Sequence, residues 1–94
     1  MKTVWKFELT INNEVEITMP RFARILHIDT QGLTRPFFRV LVWALVDPTE
    51  LTETVKFRIA GTGHEIHNEN NLSYIGTVMF LDGALVFHVF KYTK

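Results

Sequence analysis

The sequence contains no cysteine, a single serine, three prolines and five glycines, and its ten basic and ten acidic residues cancel. Without cysteine there is no disulfide framework and no thiolate metal site, so stability must come from packing, and an intracellular setting, the cytoplasm, is expected. With only Ser73 as a serine and no nucleophile elbow around it, Ser- or Cys-based triads are excluded. Zero net charge leaves no basic field to attract nucleic acid, and no nucleic-acid partner is expected. No apolar run approaches the length of a membrane span, and Met-Lys-Thr-Val-Trp-Lys at the N-terminus lacks the apolar core of a signal peptide.

What is present is apolar. Hydrophobic residues make up 47% of the 94, with eight Phe, two Trp and two Tyr, which rules out disorder. A chain this short buries only about 60–65% of its unfolded surface, so residues 1–94 are expected to form one domain around one core.

The spacing of those apolar residues predicts strands. Trp5, Phe7, Leu9 and Ile11 alternate with polar residues and face inward. A two-residue turn at Asn12-Asn13 would set Ile11 and Leu9 against glutamates. A three-residue loop, Asn12 to Glu14, instead pairs Ile11 with Val15, Leu9 with Ile17 and Phe7 with Met19, and that hairpin is expected. Met19-Pro20 ends the second strand, and a third runs from about Arg24 to Asp29. Gln31-Gly32 signals a turn and Pro36 a break. Phe37 to Val46 is apolar on both faces except at Arg39, as a central, doubly covered strand would be. Asp47-Pro48-Thr49-Glu50 predicts one helical turn. Val55, Phe57 and Ile59 mark the next strand. Leu72 to Leu81 and Ala84 to Tyr92 form a hairpin about a type I′ turn at Asp82-Gly83. Its register pairs Phe80 with Leu85, Val78 with Phe87 and Gly76 with Val89 on one face, and Met79 with Val86, Thr77 with His88 and Ile75 with Phe90 on the other. Both faces are mainly apolar, which predicts either a central position or self-association as a homo-oligomer. The expected fold is all-β: a small antiparallel sandwich or barrel of about seven strands.

One stretch departs from this pattern: Gly61-Thr62-Gly63-His64-Glu65-Ile66-His67-Asn68-Glu69-Asn70-Asn71. A phosphate-cradling loop needs a helix directly after its glycines, and Glu65 to Asn71 is a poor helix. The stretch is then either a connector, whose glycines permit positive φ, or a contact loop using Thr62, His64 and Glu65. His64 and His67 supply half of a zinc ligand set, with Glu65, Glu69, His27 or His88 to complete it. No cofactor and no metal are assigned. Arg21, Arg24, Arg35 and Arg39 fall within nineteen residues, next to Phe37 and Phe38, and could hold an anion. His88, mid-hairpin, is expected to hydrogen-bond Thr77 across the strand.

The marks Val-Trp-Lys-Phe-Glu-Leu at 4–9, Met-Pro at 19–20, Trp-Ala-Leu-Val-Asp-Pro at 43–48, Phe-Arg-Ile-Ala-Gly-Thr-Gly-His at 57–64, Tyr-Ile-Gly-Thr at 74–77 and Leu-Val-Phe-His-Val-Phe at 85–90 run through nearly the whole chain. In these the chain resembles a family of small proteins encoded by tailed bacteriophages and prophages. That resemblance implies an accessory protein in the host cytoplasm that counters host defence by binding, not catalysis. It would block a host protein or sequester an anionic small molecule such as a nucleotide signal. The contacts expected are Arg58, Gly61, Thr62, Gly63, His64, Glu65 and Arg39. A His64/His67 metal-dependent hydrolase and a minor virion protein are the alternatives.

Overall fold

A computed structural model describes residues 1–30 and 39–93. Seven strands form two antiparallel sheets. They are β1 (Thr3–Thr10), β2 (Glu14–Pro20), β3 (Arg24–Asp29), β4 (Arg39–Val46), β5 (Thr52–Gly61), β6 (Leu72–Phe80) and β7 (Leu85–Tyr92). The first sheet is ordered β1-β4-β3 and the second β2-β5-β7-β6, with the core between them. The fold is a small all-β sandwich, and its only helices among the described residues are two three-residue 3-10 turns, Glu69–Asn71 and Leu81–Gly83. No helix is long and apolar enough to cross a membrane.

The period-two pattern places most of the inward side chains as expected, but Trp5, near the start of β1 beyond the core, is 41% exposed. Leu9, Val40 and Val42 from one sheet meet Phe57, Val78 and Val89 from the other, all buried. Full burial of a ring such as Phe57 stabilises by about 1.5–3 kcal/mol relative to leaving it exposed. The β1–β2 hairpin does not form. β1 pairs with β4 (Leu9 beside Val40, Phe7 beside Val42), and β2 pairs with β5 (Val15 beside Phe57, Ile17 beside Val55). Alternation dictates which side chains point to the core, and that demand is met equally well when two strands face each other across it as when they lie side by side. The corner between them is pinned where the Ile59 amide donates to the Asn13 carbonyl at 3.1 Å.

β4 is central in its sheet, though only one of its faces is covered by the second sheet. Trp43, on its other face, is half-buried against the His27 ring, with centroids 5.8 Å apart. Asp47 to Glu50 is a β-turn, not a helical turn: the Glu50 amide donates to the Asp47 carbonyl at 3.0 Å, and the Asp47 carboxylate accepts from the Thr49 amide and hydroxyl. Those bonds, the hydroxyl's foremost, hold the Asp47 carboxyl below its ordinary pKa. The β6–β7 register follows the pattern from Phe80–Leu85 to Gly76–Val89, then shifts at a bulge so that Tyr74, not Ile75, sits opposite Phe90. Asp82 and Gly83 take the positive φ expected of them, 54° and 90°, and the Ala84 amide donates to the Leu81 carbonyl at 3.0 Å, but Leu81 is itself at φ 53° and Ala84 is helical, so the strands end at Phe80 and Leu85 around a loop of four residues, not two. The turn at Gln31-Gly32, the break at Pro36, Arg35, Phe37 and Phe38 lie outside the described residues.

Candidate functional site

Because Val55, Phe57 and Ile59 fill the core, the intervening Lys56, Arg58 and Ala60 fall on the outer face of the four-stranded sheet. β5 ends at Gly61, and the His64 amide donates back to the Gly61 carbonyl at 3.1 Å, closing a turn. The two glycines serve different needs. Gly63 has φ +90°, which other residues rarely adopt, while a Cβ on Gly61 would come within 3.0 Å of the His64 imidazole. His64 is thereby folded back against the strand end.

Two further ties hold the loop. Arg58 donates from one guanidinium nitrogen to the Glu65 carbonyl at 2.9 Å and from the other to the Asn13 carbonyl at 3.3 Å, clamping the loop to the β1–β2 corner. The Thr62 hydroxyl bonds His88 Nε2 at 2.7 Å. The other ring nitrogen, Nδ1, meets the Thr77 hydroxyl at 2.9 Å, which in turn bonds the Tyr74 hydroxyl at 2.5 Å. A neutral imidazole offers one donor and one acceptor, and this arrangement uses both. Beyond these ties Thr62, His64, Glu65, Ile66 and His67 are exposed, and Glu65 and His67 lie 3.3 Å apart as an exposed pair. Asn68, at φ 58°, leads into the Glu69–Asn71 turn, which the Thr93 amide caps at the Asn71 carbonyl. No helix follows the glycines, so the loop does not cradle a phosphate in the manner of a nucleotide-binding turn.

Beside the loop lies an open depression of about 400 Å³, with Gly61, Thr62 and His64 on one side and Leu85, Val86 and Phe87 on the other. On the outer face of the four-stranded sheet, Tyr92 donates to the Glu14 carboxylate at 2.5 Å and Lys56 approaches it at 3.3 Å. The phenol's hydrogen bond, followed by that of Lys56, holds the Glu14 pKa down, and the same bond raises that of Tyr92.

Of the residues expected to form one site, Arg58, Gly61, Thr62, Gly63, His64 and Glu65 are contiguous. Arg39 is not with them. It alternates with inward-facing Val40 on β4, so it lies on the outer face of the opposite sheet, where its guanidinium meets Glu8 at 2.6 Å. Arg58 is a clamp whose guanidinium is already engaged by carbonyls. Among the described residues no group of three or more His, Asp or Glu is placed to hold a metal ion, so His64 and His67 do not gather the ligands a hydrolytic metal would need. The Thr77–His88 contact follows from the hairpin register. The Thr62–His88 tie was not readable, because it depends on β5 lying beside β7.

The chain belongs to a family described as a domain of unknown function, DUF7352, whose model matches residues 1–94. No curated protein and no solved structure matches it.

Proposed function

We propose that the protein is a non-catalytic binder that acts by covering a surface of a host protein, as a small phage accessory protein of the counter-defence kind would. The loop from Thr62 to His67 is its contact surface. The observation that carries this reading is the way the loop is held: bonds from Gly61 and Arg58 hold its backbone and His88 holds the Thr62 side chain, while the side chains of Thr62 and His64 to His67 stay exposed beside an apolar depression. A loop ordered before binding loses less conformational entropy on docking, and functional contacts concentrate on such loops. Sequestering an anionic small molecule draws less support, because Arg58 is occupied by carbonyls and Arg39 faces the other way. Self-association is part of the proposal: Tyr74 and Met79, 60% and 59% exposed, extend the apolar character of the β6–β7 hairpin onto the open sheet face.

The test is co-purification from bacterial host cells of tagged wild-type protein and a His64→Ala/Ile66→Asp variant, with thermal melts of both. Both positions are exposed, so the melts should nearly coincide while a stoichiometric partner protein is lost from the variant. Equal recovery of the partner by both proteins would remove the loop from the interface.

A further inference from the structure

A second surface lies where the two sheets part at their β3 and β6 edges. At one level the strands are in close contact: a Cβ on Gly76 would come within 2.9 Å of Ile28 Cδ1. Toward the start of β3 they diverge around an open depression of about 380 Å³. Both edges carry a bulge there. Leu26 is skipped in the pairing of β3 with β4, and Ile75 in the pairing of β6 with β7, leaving two residues out of register with their neighbours on opposite walls. The lining is apolar at Leu26 and Ile75 and cationic at Arg24 and Lys91. Among the described residues no carboxylate lines it; Asp29, just outside, is 3.9 Å from His27. Arg24 and Lys91 make no ion pair among the described residues.

In a chain with equal numbers of acids and bases, a part-apolar trough with a cation on each wall and, among the described residues, no acid is charge-complementary to one class of ligand. We infer that this trough takes an extended acidic segment of a partner protein, whose carboxylates meet Arg24 and Lys91 while a neighbouring apolar side chain sits on Leu26 and Ile75. The bounding strands are sheet edges, which present main-chain groups outward, so an extended segment also has backbone partners along the trough. This surface shares no lining residue with the Thr62–His67 loop, and its test is readable whether or not the loop binds anything.

The experiment is a titration of the ¹⁵N-labelled protein, followed by amide chemical shifts, with acetyl-Leu-Glu-Val-Glu-Leu-amide, its Gln isostere and inorganic phosphate. The acidic peptide should move the amides of Arg24 to His27 and Ser73 to Ile75, and the Gln peptide should bind more weakly. Exposed ion pairs are modest, so Arg24→Gln and Lys91→Gln should each weaken the acidic peptide by up to about five-fold. Arg24 is exposed and Lys91 half-buried, and Gln keeps a polar side chain of similar reach at each, so neither substitution should perturb the remaining spectrum. Equal shifts from the Gln peptide, indifference to both substitutions, or phosphate matching the peptide at the same amides would each overturn the assignment.

Discussion

Arg58→Met tests whether the loop owes its order to the clamp beneath it. The substitution keeps an apolar stem on β5 and removes the two guanidinium bonds to the Glu65 and Asn13 carbonyls. Both bonds are solvent-accessible, so each contributes toward the lower end of the usual range, and together they should be worth about 1–2 kcal/mol. That corresponds to a fall in melting temperature of roughly 5–15 °C for a domain of this size. The more specific readout is hydrogen exchange at the His64 amide, which is bonded to Gly61 within the loop. Its protection should drop by roughly 5- to 30-fold, the population change equivalent to the same free energy. Arg58→Lys should recover only part of the loss, because an ammonium cannot span two carbonyls as the planar fork does. If the His64 amide in Arg58→Met exchanges at the wild-type rate, the loop is ordered by its own turn and the clamp argument fails.

Three further outcomes follow from particular contacts. Gly76→Ala pushes a methyl into Ile28 and should destabilise by about 1–3 kcal/mol, as overpacking does, with Ile28→Val restoring much of it; urea denaturation of the single and double variants checks this. Gly83→Ala meets no atom within 4 Å but must hold φ +90°, so it should cost about 1–2 kcal/mol from backbone strain alone, read in the same assay. The Glu14 carboxyl is depressed in the folded state, so its contribution is present above the unfolded pKa and lost as pH falls through the lower folded value. The Tyr92 phenol is raised, so its contribution is present below the unfolded pKa and lost as pH rises through the higher folded one. Tyr92→Phe should abolish the alkaline loss and shrink the acid one, measured as melting temperature against pH.

The parts of the fold legible in the sequence were those set by local alternation. Leu9, Phe57 and Val89 point inward because every second residue of a strand does, and Asp82-Gly83 announces its turn by backbone chemistry. The register of the last hairpin followed from that turn as far as Gly76, beyond which the Ile75 bulge, a tertiary adjustment beside the diverging β3 edge, was invisible. Sheet membership was not local either: the same apolar faces let β1 and β2 pair or oppose, and only the whole core decides. For the site, the Gly/His stretch stood out by composition, whereas the use of Arg58 as a clamp and of His88 as the anchor for Thr62 required knowing that β2, β5 and β7 are neighbours. Arg39 was grouped with them by residue type, and the alternation on β4 carried it to the opposite face.

The most direct test of the loop as a protein-binding surface is native mass spectrometry of the protein taken gently from host cells, beside the His64→Ala/Ile66→Asp variant. The account predicts a wild-type species carrying one additional protein mass, on a monomeric or symmetric oligomeric base, and its absence from the variant. A nucleotide-sized mass retained by both proteins, with no partner protein on either, would contradict it.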